Sequence, residues 1–257
     1  VPCTGNALPT SGVIAALTQP GPMAKSVDDL IYLLEIMAGP DNIDPHAIPC
    51  PLLDPYAVNV AELKIGYHTD NGIKTPDDPI VSTIRSVVDL LSGHKMVSEV
   101  RPSGIEMAGL IFGHLLAADN GDMINMLLED SQTITPSPVI AGLLESAGDP
   151  ISGPEYSQAI NLWHNFQSSM LSYFDEFDIL VSPVNAHTAI GHDQQEDFSA
   201  YSYTTAYNLT GWPSVVIRAG TDPDGLPIGV QILARPFRED QCLAVASWLE
   251  ARLGPFP

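Results

Sequence analysis

The chain has 257 residues, 31 of them acidic against 10 Lys and Arg, for a formal charge of −21. Phosphate backbones are met by basic surface that this composition lacks, so no nucleic acid is expected as a partner, and anionic membranes are disfavoured for the same reason. With 45% apolar and 16% charged residues and no apolar run near the ~20 residues that span a bilayer, the composition is that of a soluble, packed protein rather than a disordered one.

The first predicted element follows the turn formers Gln19-Pro20-Gly21-Pro22. Ser26 is placed to cap orphan amides, Asp28 and Asp29 suit the positive helix end, and Leu30, Ile31, Leu33, Leu34 and Met37 supply an apolar face; Gly39-Pro40 then stops the helix. A Pro-rich connector leads to residues 63–68, which read as a buried strand. A second helix is expected to start at Thr75-Pro76, carry Ile80, Ile84, Val87, Val88 and Leu91 inward, and end at Gly93. Residues 96–100 are again extended. One helical stretch is predicted over 104–130 from the spacing of Met107, Leu110, Ile111, Leu115, Met123, Met126 and Leu127, and a shorter one over 139–147.

A longer helix begins at the box Ser152-x-x-Glu155, where hydroxyl and carboxylate cap each other's amides, and runs through Trp163 and Phe166 to Phe174. Its aromatic stripe is read as core packing. Residues 178–182, ended by Pro183, are the plainest strand. Residues 214–218 and 228–233 flank Asp222-Pro223-Asp224-Gly225 and should pair antiparallel, because a parallel pairing needs a crossover of about a dozen residues or more. A final helix over 239–253 packs back. The whole reads as α/β, a mixed β-sheet flanked by helices.

Several chemistries are disfavoured by missing motifs. The chain has no G-x-G-x-x-G, G-x-x-x-x-G-K-S/T, H-E-x-x-H or G-x-S-x-G. Cys3, Cys50 and Cys242 form no C-x-x-C pair, which fits a reducing, cytoplasmic location. His187, His192 and Asp193 bring potential metal ligands close in sequence, yet that loop spacing is read as solvated polarity, and neither metal nor cofactor is expected. Lys25, just before a helix start, is read as a surface residue rather than a base of lowered pKa. Asn208-Leu209-Thr210 is formally a glycosylation sequon with no secretory signal to support its use. The opening Val1-Pro2-Cys3-Thr4-Gly5 has no Met, basic region or apolar signal core, so either a segment was removed or these residues are part of a longer chain.

The specific signal lies in three ordered phrases. The first is Gln19-Pro20-Gly21-Pro22-Met23-Ala24-Lys25-Ser26-Val27-Asp28-Asp29-Leu30, leading into Gly39-Pro40-Asp41. The second is Asp178-Ile179-Leu180-Val181-Ser182-Pro183. The third runs from Tyr207-Asn208-Leu209-Thr210-Gly211-Trp212-Pro213-Ser214 through Asp224-Gly225-Leu226-Pro227-Ile228-Gly229-Val230-Gln231 to Arg235-Pro236-Phe237. In this order they resemble the amidase signature family, and residues 1–257 correspond to the C-terminal portion of one such domain, incomplete at its N-terminal side.

The resemblance implies hydrolysis or transfer of carboxamides by a Ser nucleophile, a second Ser held on a cis peptide, and a neutral Lys. Those groups lie N-terminal to the opening phrase in the family. Here no Gly-Gly-Ser occurs, no Lys precedes Lys25, and Ser11 in Thr10-Ser11-Gly12 falls too far downstream to be the nucleophile. No catalytic residue is therefore assigned to this chain.

Two readings follow: a piece of an amidase acting on a small or aryl carboxamide, whose complementary N-terminal segment supplies the triad, or a noncatalytic relative that binds a small molecule or partner chain. Loss of the N-terminal half would expose sheet edge that such a segment, or a second copy in a homo-oligomer, must cover. The resemblance is generic over 100–170, which is read as the substrate-specificity region.

By position, Asn185 and His187 after the Ser182-Pro183 strand should open at the sheet edge. Tyr201, Thr204, Tyr207 and Trp212 lie on or beside the third phrase and are candidates to line the acyl side. Tyr201 stands near where glutamine-transferring members carry an acidic residue, which weakens a tRNA-linked reading.

Overall fold

The computed structural model describes residues 1–5, 16–146, 151–192, 194 and 197–254. Ser11, already set aside as a nucleophile, lies outside them together with Asp193 and Ala147. Five strands follow from the five apolar runs: β1 Lys64–Tyr67, β2 Met96–Glu99, β3 Ile179–Pro183, β4 Ser214–Thr221 and β5 Pro227–Ala234. They form one sheet in the order β2-β1-β3-β5-β4. β1 runs parallel to β2 and β3, whereas β5 is antiparallel to both β3 and β4, so the sheet is mixed as expected.

Strand periodicity sorts the core into two layers. Ile179 and Val181 of β3, with Val230 and Ile232 of β5, point to one face, while Leu180 and Leu233, at the alternate positions, point to the other. The first face is covered by α1 (Val27–Met37), α2 (Asp78–Leu91) and α8 (Glu239–Leu253), through Val27, Ile31, Ile84, Val87, Leu91, Val245 and Leu249. The second is covered by α3 (Ala108–Leu116), α6 (Gly153–Leu171) and α7 (Ser202–Thr210), through Ile111, Leu115, Phe166, Met170 and Leu209. β3 sits at the centre with every residue buried, which explains why its sequence is continuously apolar up to Ser182. The Trp163–Phe166 stripe packs into the second layer.

The caps form as the sequence predicts. Ser26 accepts the Asp29 amide, and Ser152 with Glu155 makes a reciprocal capping box. A long-range cap accompanies them: both carboxylate oxygens of Glu250 on α8 accept the Val27 amide, each at 3.1 Å. Glu250→Ala is expected to lower the unfolding free energy by about 1 kcal/mol, read as a shift in urea midpoint with unchanged slope.

Two expectations are corrected. The single stretch over 104–130 is divided into a 3-10 turn at Ile105–Met107, α3, a 3-10 turn at Ala117–Asp119 and α4 (Asp122–Asp130). Asn120 and Gly121 take left-handed backbone, φ 53° and 76°, and no helix passes through such a pair. Helix α2 begins at Asp78, two residues after Pro76, because Asp77 keeps extended backbone and turns its carboxylate elsewhere. α5 (Pro138–Ser146) completes the helices.

Candidate functional site

In open sheets ligands gather outside the carboxyl ends of parallel strands, and here the polar groups of the core gather there too. β1 ends into His68, Thr69 and Asn71, all buried despite their polarity. β3 ends in Ser182-Pro183, and β5 returns alongside with Gln231. Helix α7 lies over these ends and contributes Ser202, Tyr203 and Tyr207.

Several of these buried groups are tied to partners far away in sequence. His68 Nε2 and Tyr207 Oη are 2.8 Å apart. Asn71 donates to Ser202 Oγ at 2.8 Å and accepts the amides of Ile73 and Lys74, which shapes the loop after β1. The Tyr203 hydroxyl donates to the Lys74 carbonyl at 2.7 Å. Gln231 Nε2 donates to the carbonyls of both Pro183 and Tyr203, each at 2.7 Å. One glutamine amide thus joins the end of β3, helix α7 and strand β5, which carry the second and third sequence phrases.

Burial sets the protonation states. Desolvation, with a smaller push from the nearby Arg101 charge, lowers the His68 pKa to about 3. The imidazole is neutral at pH 7, and its Nδ1 has no hydrogen-bond partner among the described residues. Burial likewise pushes the Tyr203 phenol up to about 12 and Tyr207 far above its ordinary value.

A base whose folded pKa is depressed lends stability above its unfolded pKa and loses it as pH falls toward the folded value. The window therefore opens at about pH 6.5 and closes near 3, with a loss of about 2 kcal/mol already at pH 5. Urea unfolding of wild type and His68→Gln at pH 7.5 and 5 checks this: the wild-type loss is expected, and the variant should lack it.

The predicted site residues fall into three places. Asn185 and His187 line a cavity of about 70 Å³ with Ile80, Thr188, Ile228 and Gly229. The Asp77 carboxylate fixes this loop, facing His187 Nδ1 at 3.2 Å and accepting the Thr188 amide. Tyr207 and Trp212 belong together in an aromatic cluster with Tyr173 and Phe174, Trp212 lying 4.5 Å from Phe174 between ring centres. Both are buried. Tyr201 is exposed, and the Thr204 hydroxyl bonds its carbonyl at the start of α7.

Sequence reasoning did not single out Asn71, Asp77 or Arg101, carried Gln231 only as part of the third phrase, and placed His68 only at the end of a strand. The signal open to it was position, since His68 and Asn71 directly follow a buried parallel strand.

Among the described residues, no group of three His, Cys, Asp and Glu converges to hold a metal ion, and no helix is long and apolar enough to cross a membrane. The three cysteines are free thiols.

Comparison with known proteins agrees with this architecture. Over 282 residues the chain is 24% identical to one component of the glutamyl-tRNA(Gln) amidotransferase of Salinispora arenicola, covering 94% of this chain and 57% of that protein. It is 26% identical to an amidase of Pseudomonas putida, over 82% of this chain and 48% of the relative. The structure of a fatty acid amide hydrolase superposes with a TM-score of 0.79 at 18% identity, across 91% of this chain and 48% of the other. The chain thus spans about half the length of the relatives it matches. The sequence pattern of the amidase family matches residues 1–243, and with the second and third phrases joined at the end of β3 through Gln231, the chain belongs to the amidase family.

Proposed function

We propose that the chain is the substrate-shaping part of an enzyme that cleaves the C–N bond of a small or aryl carboxamide. In this reading the Ser, cis Ser and Lys that do the chemistry come from a complementary N-terminal segment. The observation that carries it is the Gln231 bridge, which draws the family's second and third phrases into one polar cluster beside a small cavity. Three free thiols suit a cytoplasmic location.

Size supports a shared pocket. About 70 Å³ is the room of roughly two waters, enough for a carboxamide head but not for an aryl ring. Asn185 and His187 face that head, with His187 held by Asp77. Tyr201 and Thr204 are proposed to meet the rest of the substrate from the start of α7, apart from this cavity, with the buried Tyr207 and Trp212 supporting that helix from the core. The rest of the enclosure belongs to the complementary segment.

Benzamide tests the reading. The chain alone is expected to bind it by calorimetry without releasing benzoate. A preparation that also carries the segment encoded upstream of Val1 should release benzoate and ammonia. Turnover by the chain alone, or no turnover by the joined preparation, contradicts the proposal.

A further inference from the structure

Arg101 follows β2 at the same carboxyl edge of the sheet. It is exposed, and its guanidinium makes no ion pair among the described residues, although acidic side chains outnumber Lys and Arg 31 to 10. The neighbouring loop is built around it. Gly72 takes left-handed backbone at φ +77°, and a Cβ there would fall inside the Arg101 guanidinium. The loop therefore receives the flat face of the arginine against bare backbone.

The acidic residue beside it is engaged otherwise, since Asp70 Oδ1 accepts the Gly72 amide at 2.6 Å. The Arg101 charge reaches the buried His68 and Tyr203. Because His68 is neutral there, Arg101 is the positive charge of this edge. Lys74, on the same loop, is paired with Asp197 at 3.3 Å. His68, 2% exposed, adds a buried Nδ1 without a partner among the described residues.

We infer that Arg101 and the Gly72 turn form a carboxylate-binding subsite, so that the preferred amide carries an acid group. An exposed guanidinium presents a planar fork that takes a carboxylate bidentately, which a neutral aryl amide cannot exploit. The inference deepens the amide reading above and rests on it for the word "substrate", but the anion site itself can be tested alone.

Three compounds separate the two claims by calorimetry on the intact chain: benzoate, benzamide and 4-carbamoylbenzoate. Wild type is expected to bind 4-carbamoylbenzoate about tenfold more tightly than benzamide. Arg101→Gln should abolish that advantage and the binding of benzoate while leaving benzamide unchanged; Arg101→Lys should keep part of it. The arginine is exposed, so all variants should share the wild-type melting temperature. Benzoate binding lost in Arg101→Gln supports the subsite even if benzamide fails to bind, an outcome that removes only the amide reading. Benzoate that does not bind wild type, or that binds Arg101→Gln equally well, overturns the subsite.

Discussion

Replacing Gln231 with leucine is expected to lower the unfolding free energy by about 3 kcal/mol, although the two side chains are close in size. Gln231 is 2% exposed, and its amide satisfies the carbonyls of Pro183 and Tyr203 at once. Leucine leaves both without that donor in a dry interior, where an unmade hydrogen bond costs about 1–3 kcal/mol. Gln231→Glu should be worse at pH 7, because an ionised carboxylate donates nothing and faces two carbonyl oxygens. Urea unfolding of the two variants decides: a leucine variant within about 0.5 kcal/mol of wild type would show that the bridge is not a structural requirement.

The second large effect is expected at Gly66 in β1. A Cβ there would collide with the Tyr173 hydroxyl and come within 2.7 Å of Val100 Cγ1. The Tyr173 ring is wedged against Phe177 and Phe174 while its hydroxyl donates to the Ile179 carbonyl at 3.1 Å, so it has no direction in which to retreat. Gly66→Ala should cost about 3 kcal/mol, the upper range for overpacking a filled core. Tyr173→Phe alone should cost about 1 kcal/mol for the lost hydrogen bond. Removing the colliding oxygen makes room, so the double variant should be less destabilised than the sum of the two by about 1 kcal/mol or more. Strict additivity would mean that the two groups do not compete for the same space.

Much of the fold was legible because its strands differ in how they are buried. The central β3 reads as a continuous apolar run, and β4 and β5 are separated by a turn too short for a crossover. Helices α1 and α6 announce themselves through Ser26 and the Ser152–Glu155 box. The break at Asn120-Gly121 was missed because apolar spacing continues across it, although the Asn-Gly pair is a turn signal that favours the left-handed backbone found there.

The site was half legible. The ordered phrases pointed to the carboxyl ends of the strands and to the loop of Asn185 and His187. What they could not give was which residues meet across the gaps. His68 finds Tyr207 139 positions away, and Asn71 finds Ser202 131 positions away; without a relative's structure no local pattern carries such pairings. Tyr207 and Trp212 illustrate the same point from the other side, since aromatic residues on a motif helix can face either a ligand or the core, and here both are buried.

In the proposed function this chain shapes the substrate site and the nucleophile lies elsewhere. A serine-directed fluorophosphonate, followed by mass spectrometry of the adduct, tests it most directly on a preparation active against benzamide. The adduct is predicted on a serine outside Val1–Pro257, with no modification of the isolated chain. A stoichiometric adduct on any serine within these 257 residues would rule that function out.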